Sequence, residues 1–209
     1  MPPPLILKVS EIFASIQGEG LRQGEPTIFV RLAGCNLRCS FCDTKYAWRG
    51  GRDFSLEEII EKIRAIRAHF PARWVCLTGG EPLLQRVERL VRKLKAEDLM
   101  VQVETNGTRY RSMPVDWYSV SPKPERYSYR SEYRKKAKEV KLIVTRKLGL
   151  SLVMKLRNEF SSTIPILLQT ESTRKWSIER GLKILEEALQ AGLDNVRFSS
   201  QLHRIYGLK

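Results

Sequence analysis

The stretch "TIFVRLAGCNLRCSFCDTKYAW" (residues 27–48) runs an apolar, β-branched segment straight into a loop carrying three of the chain's four cysteines. A continuous apolar run of this length suits a strand covered on both faces, hence a parallel sheet. The same signature recurs outward along the chain, in "WVCLTGG" (74–80), "MVQVETNG" (100–107), "WYSVSPK" (117–123), "VKLIVT" (140–145), "IPILLQT" (164–170) and "NVRFSS" (195–200). Helical patterns lie between several of these runs. "SLEEIIEKIRAIRAHF" (55–70) opens with Ser55 and Glu58 in capping-box spacing and puts Ile59, Ile63 and Ile66 on one face. Further helices are predicted over 83–96, 148–160 and 177–191, the last ended by Gly192.

Strands alternating with helices make this an α/β fold of βα units. The runs between about residues 100 and 140 lack clear helices, and 209 residues fall short of the about 250 of a full eight-fold barrel. The architecture expected is an incomplete, shortened βα barrel, with "LILKVSEIFASIQGEG" (5–20) forming an N-terminal hairpin or cap, all within one domain spanning 1–209. The cysteine loop, "TGGEP", "ETNG", "SPKP" and "LLQTES" all fall at carboxyl ends of strands, where open sheets and barrels build their sites, so one cleft is expected.

Composition bounds the function. Hydrophobic residues make up 42%, enough for one sizeable core, and no stretch reaches membrane-spanning length. "MPPPLILKVSEIF" lacks the basic start and long apolar run of a signal peptide, so a soluble, cytoplasmic protein with no membrane partner is expected. Lys plus Arg number 37 against 23 Asp plus Glu, a formal charge of +14. That balance invites a nucleic-acid reading. The cations are spread along the chain and no RNA-module signature accompanies them. We therefore read a solvated charged surface around a site for an anionic small molecule. "YRSEYRKKAKEVK" (129–141) is the densest basic run and the best place for a polyanion.

Cys35, Cys39 and Cys42, at spacings that let one short loop direct every sulfur inward, point to a metal centre rather than a disulfide. Structural zinc needs four closed ligands, and the other candidates are weak. Cys76 sits inside a strand as a small hydrophobe, and His69 lies at a helix end. Three sulfurs without a fourth fit an iron–sulfur cluster with one iron left open. The alternative is an RNA-binding zinc protein, which iron and sulfide analysis would separate.

CxxxCxxC with Phe41 before its last cysteine resembles the cluster motif of the radical S-adenosylmethionine (SAM) superfamily, and "TGGEP" (78–82) resembles that superfamily's GGE motif. Together with "SIQGEG" (15–20), "CDT" (42–44), "ETNGT" (104–108), "SPKP" (121–124), "LQTES" (168–172) and the ending "SSQLHRIYGLK" (199–209), the chain from about residue 8 onward resembles the 7-carboxy-7-deazaguanine synthase family. The rival reading is another radical SAM enzyme, such as a glycyl-radical activase. It shares CxxxCxxC but not "SIQGEG", Thr44 or the terminal pattern.

The resemblance implies a (β/α)6-type radical SAM partial barrel, a [4Fe–4S] cluster, SAM, Mg²⁺, a homodimer and a reductant protein. The reaction it implies is conversion of 6-carboxy-5,6,7,8-tetrahydropterin to 7-carboxy-7-deazaguanine with loss of ammonia. It implies Cys35, Cys39 and Cys42 as cluster ligands and the Thr44 hydroxyl as Mg²⁺ ligand, a hard donor suited to that ion. SAM would lie against Phe41, Cys42, Asp43, Gly80, Ser121, Pro122, Lys123 and Gln169, Thr170, Glu171 and Ser172. In that last segment "QTES" stands where a Gln-Pro beginning is expected. The pterin would meet Ile16, Gln17, Gly18, Thr78 and Arg31, whose guanidinium suits a carboxylate. Glu81 and Glu104 are further SAM candidates, with turn capping as the other role for Glu81. His203 is read as a structural hydrogen-bonding group.

Overall fold

The computed structural model describes residues 5–124 and 126–208. The ends of the expected 1–209 span, residues 1–4 and 209, lie outside the described residues, as does Glu125. The chain packs as two compact units. One comprises the chain up to Ile16 with Glu25–Thr105 and Arg109–Tyr118, the other Gln17–Gly24, Asn106–Thr108 and the chain from Ser119.

In the first unit, β1 (Ile6–Ile16) and β2 (Pro26–Leu32) form the antiparallel N-terminal hairpin, and β3 (Arg52–Ser55) pairs with the other edge of β1. α1 (Leu56–His69) then leads to β4 (Trp74–Gly79), α2 (Glu88–Lys95) to β5 (Met100–Thr105), and the order is β3-β1-β2-β4-β5 with β2, β4 and β5 parallel. The capping box at α1 is made in full: Glu58 N–H donates to Ser55 Oγ at 3.2 Å, and Ser55 N–H to Glu58 Oε2 at 2.6 Å. Ile59 and Ile63 are fully buried beneath it.

α2 is shorter than the helix predicted over 83–96. Pro82–Leu84 form only a 3-10 turn, after which Gln85 is extended (φ −95°, ψ 160°) and its side-chain amide donates to the Lys8 and Ala33 carbonyls. Those tertiary bonds outweigh the helical preference of the local sequence.

β6 (Trp117–Val120) carries the chain onward. The second unit then holds α3 (Tyr133–Lys136, one turn), β7 (Ala137–Val144), α4 (Leu150–Glu159), β8 (Ile166–Thr170), α5 (Lys175–Gln190), β9 (Val196–Ser199) and a last turn α6 (Leu202–Ile205). β7, β8 and β9 are parallel neighbours. Among the described residues no helix joins β5 to β6, as the sequence suggested, and no helix is long and apolar enough to cross a membrane.

Strand alternation gives each unit's sheet two chemically different faces. In the second unit Val140, Leu142, Val144, Ile166, Leu168 and Phe198 share one face; Gly181 of α5 brings the helix so close to Phe198 that a Cβ there would lie 3.0 Å from its ring. Lys141, Gln169 and Ser199 lie on the other. In the first unit Ile28, Val30, Leu32, Val75 and Leu77 form the apolar face, and Phe29, Arg31, Cys76, Thr78, Gln102 and Glu104 the opposite one.

Candidate active site

The cysteine loop is pinned at both ends. Gly34 N–H donates to the Ala47 carbonyl at 2.9 Å, and Glu81 N–H to the Gly34 carbonyl at 2.8 Å. This seats the "TGGEP" turn on the strand end that launches the loop. The fit requires bare backbone, because a Cβ at Gly79 (φ +125°) would lie 2.0 Å from the Leu32 carbonyl oxygen and one at Gly80 2.0 Å from that of Gly34. Glu81 takes the capping role: its buried carboxylate accepts Leu83 N–H at 3.1 Å and the Thr105 hydroxyl at 2.8 Å.

All four cysteines of the chain are free thiols, and the three in the loop, Cys35, Cys39 and Cys42, are half-buried. Burial pushes the Cys35 thiol up, a Leu37 N–H on its sulfur opposes that, and nearby Glu81, Cys39 and Cys42 push it further up. Three cysteine sulfurs carried by one short loop are the donor set of a bound iron–sulfur cluster. Cys76 sits with Phe13 and Phe29 in a buried apolar group, as expected of it. Thr44 precedes a 3-10 turn without capping it through its side chain. Its hydroxyl lies 3.6 Å from Cys42 Sγ and 3.3 Å from Asp43 Oδ1. Phe41 is half-buried and Asp43 exposed.

On the polar face of this unit, Arg31 Nε donates to Glu11 Oε1 at 2.7 Å, and the Tyr46 hydroxyl donates to the same oxygen at 2.7 Å. Burial and that bond push the Tyr46 phenol up to about 12. On the next strand Thr78 opposes Arg31, and its hydroxyl donates to Glu104 Oε2 on β5 at 3.4 Å, while the Gln102 amide donates to Glu104 Oε1 at 3.3 Å. Ile16 closes β1, half-buried.

The second unit gathers three motifs far apart in sequence. Lys141 Nζ donates to Glu19 Oε2 at 2.5 Å, and the Gln201 amide N–H to Glu19 Oε1 at 2.6 Å. Gln201 Oε1 accepts Ser172 N–H at 2.9 Å, and Leu202 N–H donates to the Gly18 carbonyl at 2.9 Å. "QGEG", "QTES" and the terminal "SQLH" are thus locked to one another. A Cβ at Gly18 would lie 2.5 Å from His203 Nδ1, and one at Gly20 (φ +73°) 2.3 Å from Glu139 Oε1. Gln17 is buried, its side-chain oxygen accepting Glu19 N–H at 3.1 Å.

The other predicted SAM segments lie in this unit too. Lys123 Nζ donates to Ser121 Oγ at 2.6 Å, Ser121 Oγ to the Lys141 carbonyl at 2.9 Å, and Pro122 is buried between them in sequence. Glu171 N–H goes to Ser177 Oγ at 2.8 Å, and Ser172 takes φ +57°. Thr170 opposes Val144 on the helix-side face, away from Gln169. Gln169 is fully buried, and neither its amide oxygen nor its nitrogen has a hydrogen-bond partner among the described residues. Leaving such a group unpaired costs about 1–3 kcal/mol, so a polar ligand with matching edges fits there.

The radical SAM superfamily pattern matches residues 29–208. The 7-carboxy-7-deazaguanine synthase of Rickettsia prowazekii is 33% identical over 216 residues, covering 97% of this chain and 89% of that protein. The enzyme of the same name from Aquifex aeolicus is 35% identical over 213 residues, covering 98% and 95%. The chain belongs to the 7-carboxy-7-deazaguanine synthase family of radical SAM enzymes. The crystal structure of QueE from Escherichia coli superposes with a TM-score of 0.78 at 29% identity over 95% of both chains, so the open α/β partial barrel expected from the sequence is the fold. As a radical SAM enzyme of this family the chain uses a [4Fe–4S] cluster and SAM. The three thiols and the orphaned Gln169 amide are the features that fit them.

Glu11, Tyr46 and Lys141 are site-face residues that the motifs did not single out, and Gln201 belongs to a quoted motif but was given no role of its own. Lys141 carried a signal, a cation inside the apolar run "VKLIVT". Glu11 did not, because the strand that presents it is irregular.

Proposed function

We propose that the chain converts 6-carboxy-5,6,7,8-tetrahydropterin to 7-carboxy-7-deazaguanine and ammonia, a carbon–nitrogen lyase step of queuosine- or archaeosine-type 7-deazapurine synthesis, through the residues described above. The observation that carries this assignment is that β2 ends in the three-thiol loop and, four residues earlier, presents Arg31 on the polar face of the sheet. One strand thereby offers both cluster ligands and a carboxylate partner. Cys35, Cys39 and Cys42 would hold the cluster, which when bound would supply the electron for reductive cleavage of SAM.

Every other role belongs to the chain's own groups. The SAM-binding residues are Phe41, Cys42, Asp43 and Gly80, Ser121, Pro122 and Lys123, and Gln169 to Ser172, and SAM would give the Gln169 amide the partner it lacks. Arg31 grips the substrate carboxylate, while the Thr78 hydroxyl, oriented by Glu104, meets the ring. Ile16, Gln17 and Gly18 bring backbone groups up to the planar heterocycle, Gly18 already being pressed against His203. Thr44, its hydroxyl unused as a turn cap, supplies a hard oxygen to Mg²⁺. The units serve one radical SAM domain, since the superfamily match runs through both. The enzyme works as a homodimer, supplied with electrons by a reductant protein.

Anaerobic turnover of the reconstituted, reduced protein with SAM, Mg²⁺ and the carboxytetrahydropterin tests this. Deazaguanine product is expected, abolished in Cys39→Ala together with the cluster's visible absorbance and reduced in Thr44→Val at limiting Mg²⁺. An active cluster-loaded protein that cleaves SAM but forms no product would sink the assignment. Indifference of Thr44→Val to Mg²⁺ would remove the metal role.

A further inference from the structure

Arg31 does not stand alone on its face of the sheet. Glu11 lies directly opposite it across the hairpin, 2.7 Å from Nε, and the oxygen that takes Nε also takes the Tyr46 hydroxyl. The guanidinium lies 5.5 Å from the centre of the Phe13 ring, itself stacked on Phe29 at 5.1 Å.

Glu11 reaches this face only through an irregularity. Val9 opposes Leu32 and Glu11 opposes Arg31, so Ser10 is an extra residue in β1. In a regular strand residues 9 and 11 share a face, and Val9 is buried with Leu32 on the apolar one. Without the bulge the Glu11 carboxylate would follow it there. Bulges commonly re-aim a side chain beside a functional site. This one has a local cost, since the Ser10 hydroxyl is buried with no hydrogen-bond partner among the described residues.

A guanidinium offers a carboxylate two two-pronged edges, Nε with one Nη or the two Nη together. With Nε–H given to Glu11, the Nη1/Nη2 edge is the one left for a two-pronged grip. We propose that Glu11, placed by the Ser10 bulge and held by Tyr46, is a positioning residue that fixes Arg31 so that only this edge meets the substrate carboxylate, and so sets selectivity for the carboxylated pterin. This rests on the assignment of Arg31 to that carboxylate. One available edge fixes one carboxylate plane and with it one orientation of the attached ring. Tyr46 lies two residues beyond Thr44, so the same contact ties the arginine to the cysteine loop. A hydrogen abstraction depends on placement of that order.

The test uses the anaerobically reconstituted enzyme and compares binding of 7-carboxy-7-deazaguanine with 7-deazaguanine, the same ring without the carboxylate, alongside KM and kcat. Arg31→Gln and Glu11→Ala are each expected to cut the preference for the carboxylated ring about tenfold, leave 7-deazaguanine binding unchanged and raise KM more than they lower kcat. Glu11→Gln, which keeps the volume and an acceptor for Nε, is expected to keep part of the preference, and it carries the test if the alanine variant does not fold. Tyr46→Phe is expected to lose about threefold. If Arg31→Gln loses the preference while both Glu11 variants keep it in full, the positioning role is overturned and the Arg31 assignment stands. If Arg31→Gln keeps the preference, both fall. Equal losses for the two rings in the Glu11 variants would show a merely structural role and overturn the inference as well.

Discussion

Two carboxylate–cation pairs lie on the polar faces of the two units, and they are built differently. Lys141 and Glu19 have side chains only 4% and 17% exposed, their partners come from segments 122 and 182 residues away, and both oxygens of Glu19 are engaged. Arg31 and Glu11, 15% and 19% exposed, are cross-strand neighbours, and the one oxygen receives both donors. The first pair staples remote parts of the chain, while the second orients one less buried cation against the neighbouring strand. A buried pair is costly to break because the survivor is left charged without water. A local pair that loses its cation keeps the Tyr46 hydroxyl on the same Glu11 oxygen.

The largest effect expected is therefore on the buried pair. Lys141→Met strands the Glu19 carboxylate and should destabilise the protein by about 3–5 kcal/mol in urea unfolding. Arg31→Met should cost less, about 1–3 kcal/mol, because the arginine is less buried than Lys141 and ties only neighbouring strands. Equal losses would erase the distinction between staple and orienting pair.

A finer cut concerns the backbone that delivers Glu19. Gly20 and Gly24 both have positive φ, +73° and +87°, but a Cβ at Gly20 would meet the Glu139 carboxylate at 2.3 Å, while one at Gly24 would meet nothing within 4 Å. Gly24→Ala should cost only the left-handed backbone preference, about 1–2 kcal/mol. Gly20→Ala should cost about 1–3 kcal/mol more, because it also displaces the buried Glu139 oxygen that accepts Leu21 N–H at 2.7 Å. Matching melting temperatures for the two variants would mean that the crowding is relieved elsewhere.

The same contrast explains what could be read from the sequence. The β2 loop, the "TGGEP" turn and the α1 cap were legible because each follows from short-range chemistry: sulfur spacing, close backbone contact, a capping box. The length of α2 was not, since Gln85 is held out of a helix by carbonyls on Lys8 and Ala33. Glu11 was hidden by a single extra residue in β1, which inverts the alternation that strand reading relies on. Lys141 was visible as an anomaly, but its partner lies 122 residues away, a distance over which periodicity carries no information.

Acid sharpens the comparison with the smallest expected signal. Burial raises the Glu19 carboxyl, but the Lys141 charge and the hydrogen bonds from Lys141 and Gln201 outweigh it and hold the group well below the ordinary carboxylate range. A carboxyl depressed on folding contributes stability that is fully present above its unfolded value of about 4.3 and is lost as the pH falls toward the folded value. Below about pH 4.3 the unfolded chain binds this proton and the folded chain does not. The gap in unfolding free energy between the wild type and Glu19→Gln should therefore be flat from pH 7 to about pH 5. It should then narrow by up to about 1.4 kcal/mol per pH unit on further acidification. Urea unfolding across that range measures it directly, and a gap that stayed constant down to pH 3 would mean that Lys141 does not hold Glu19 ionised in the fold.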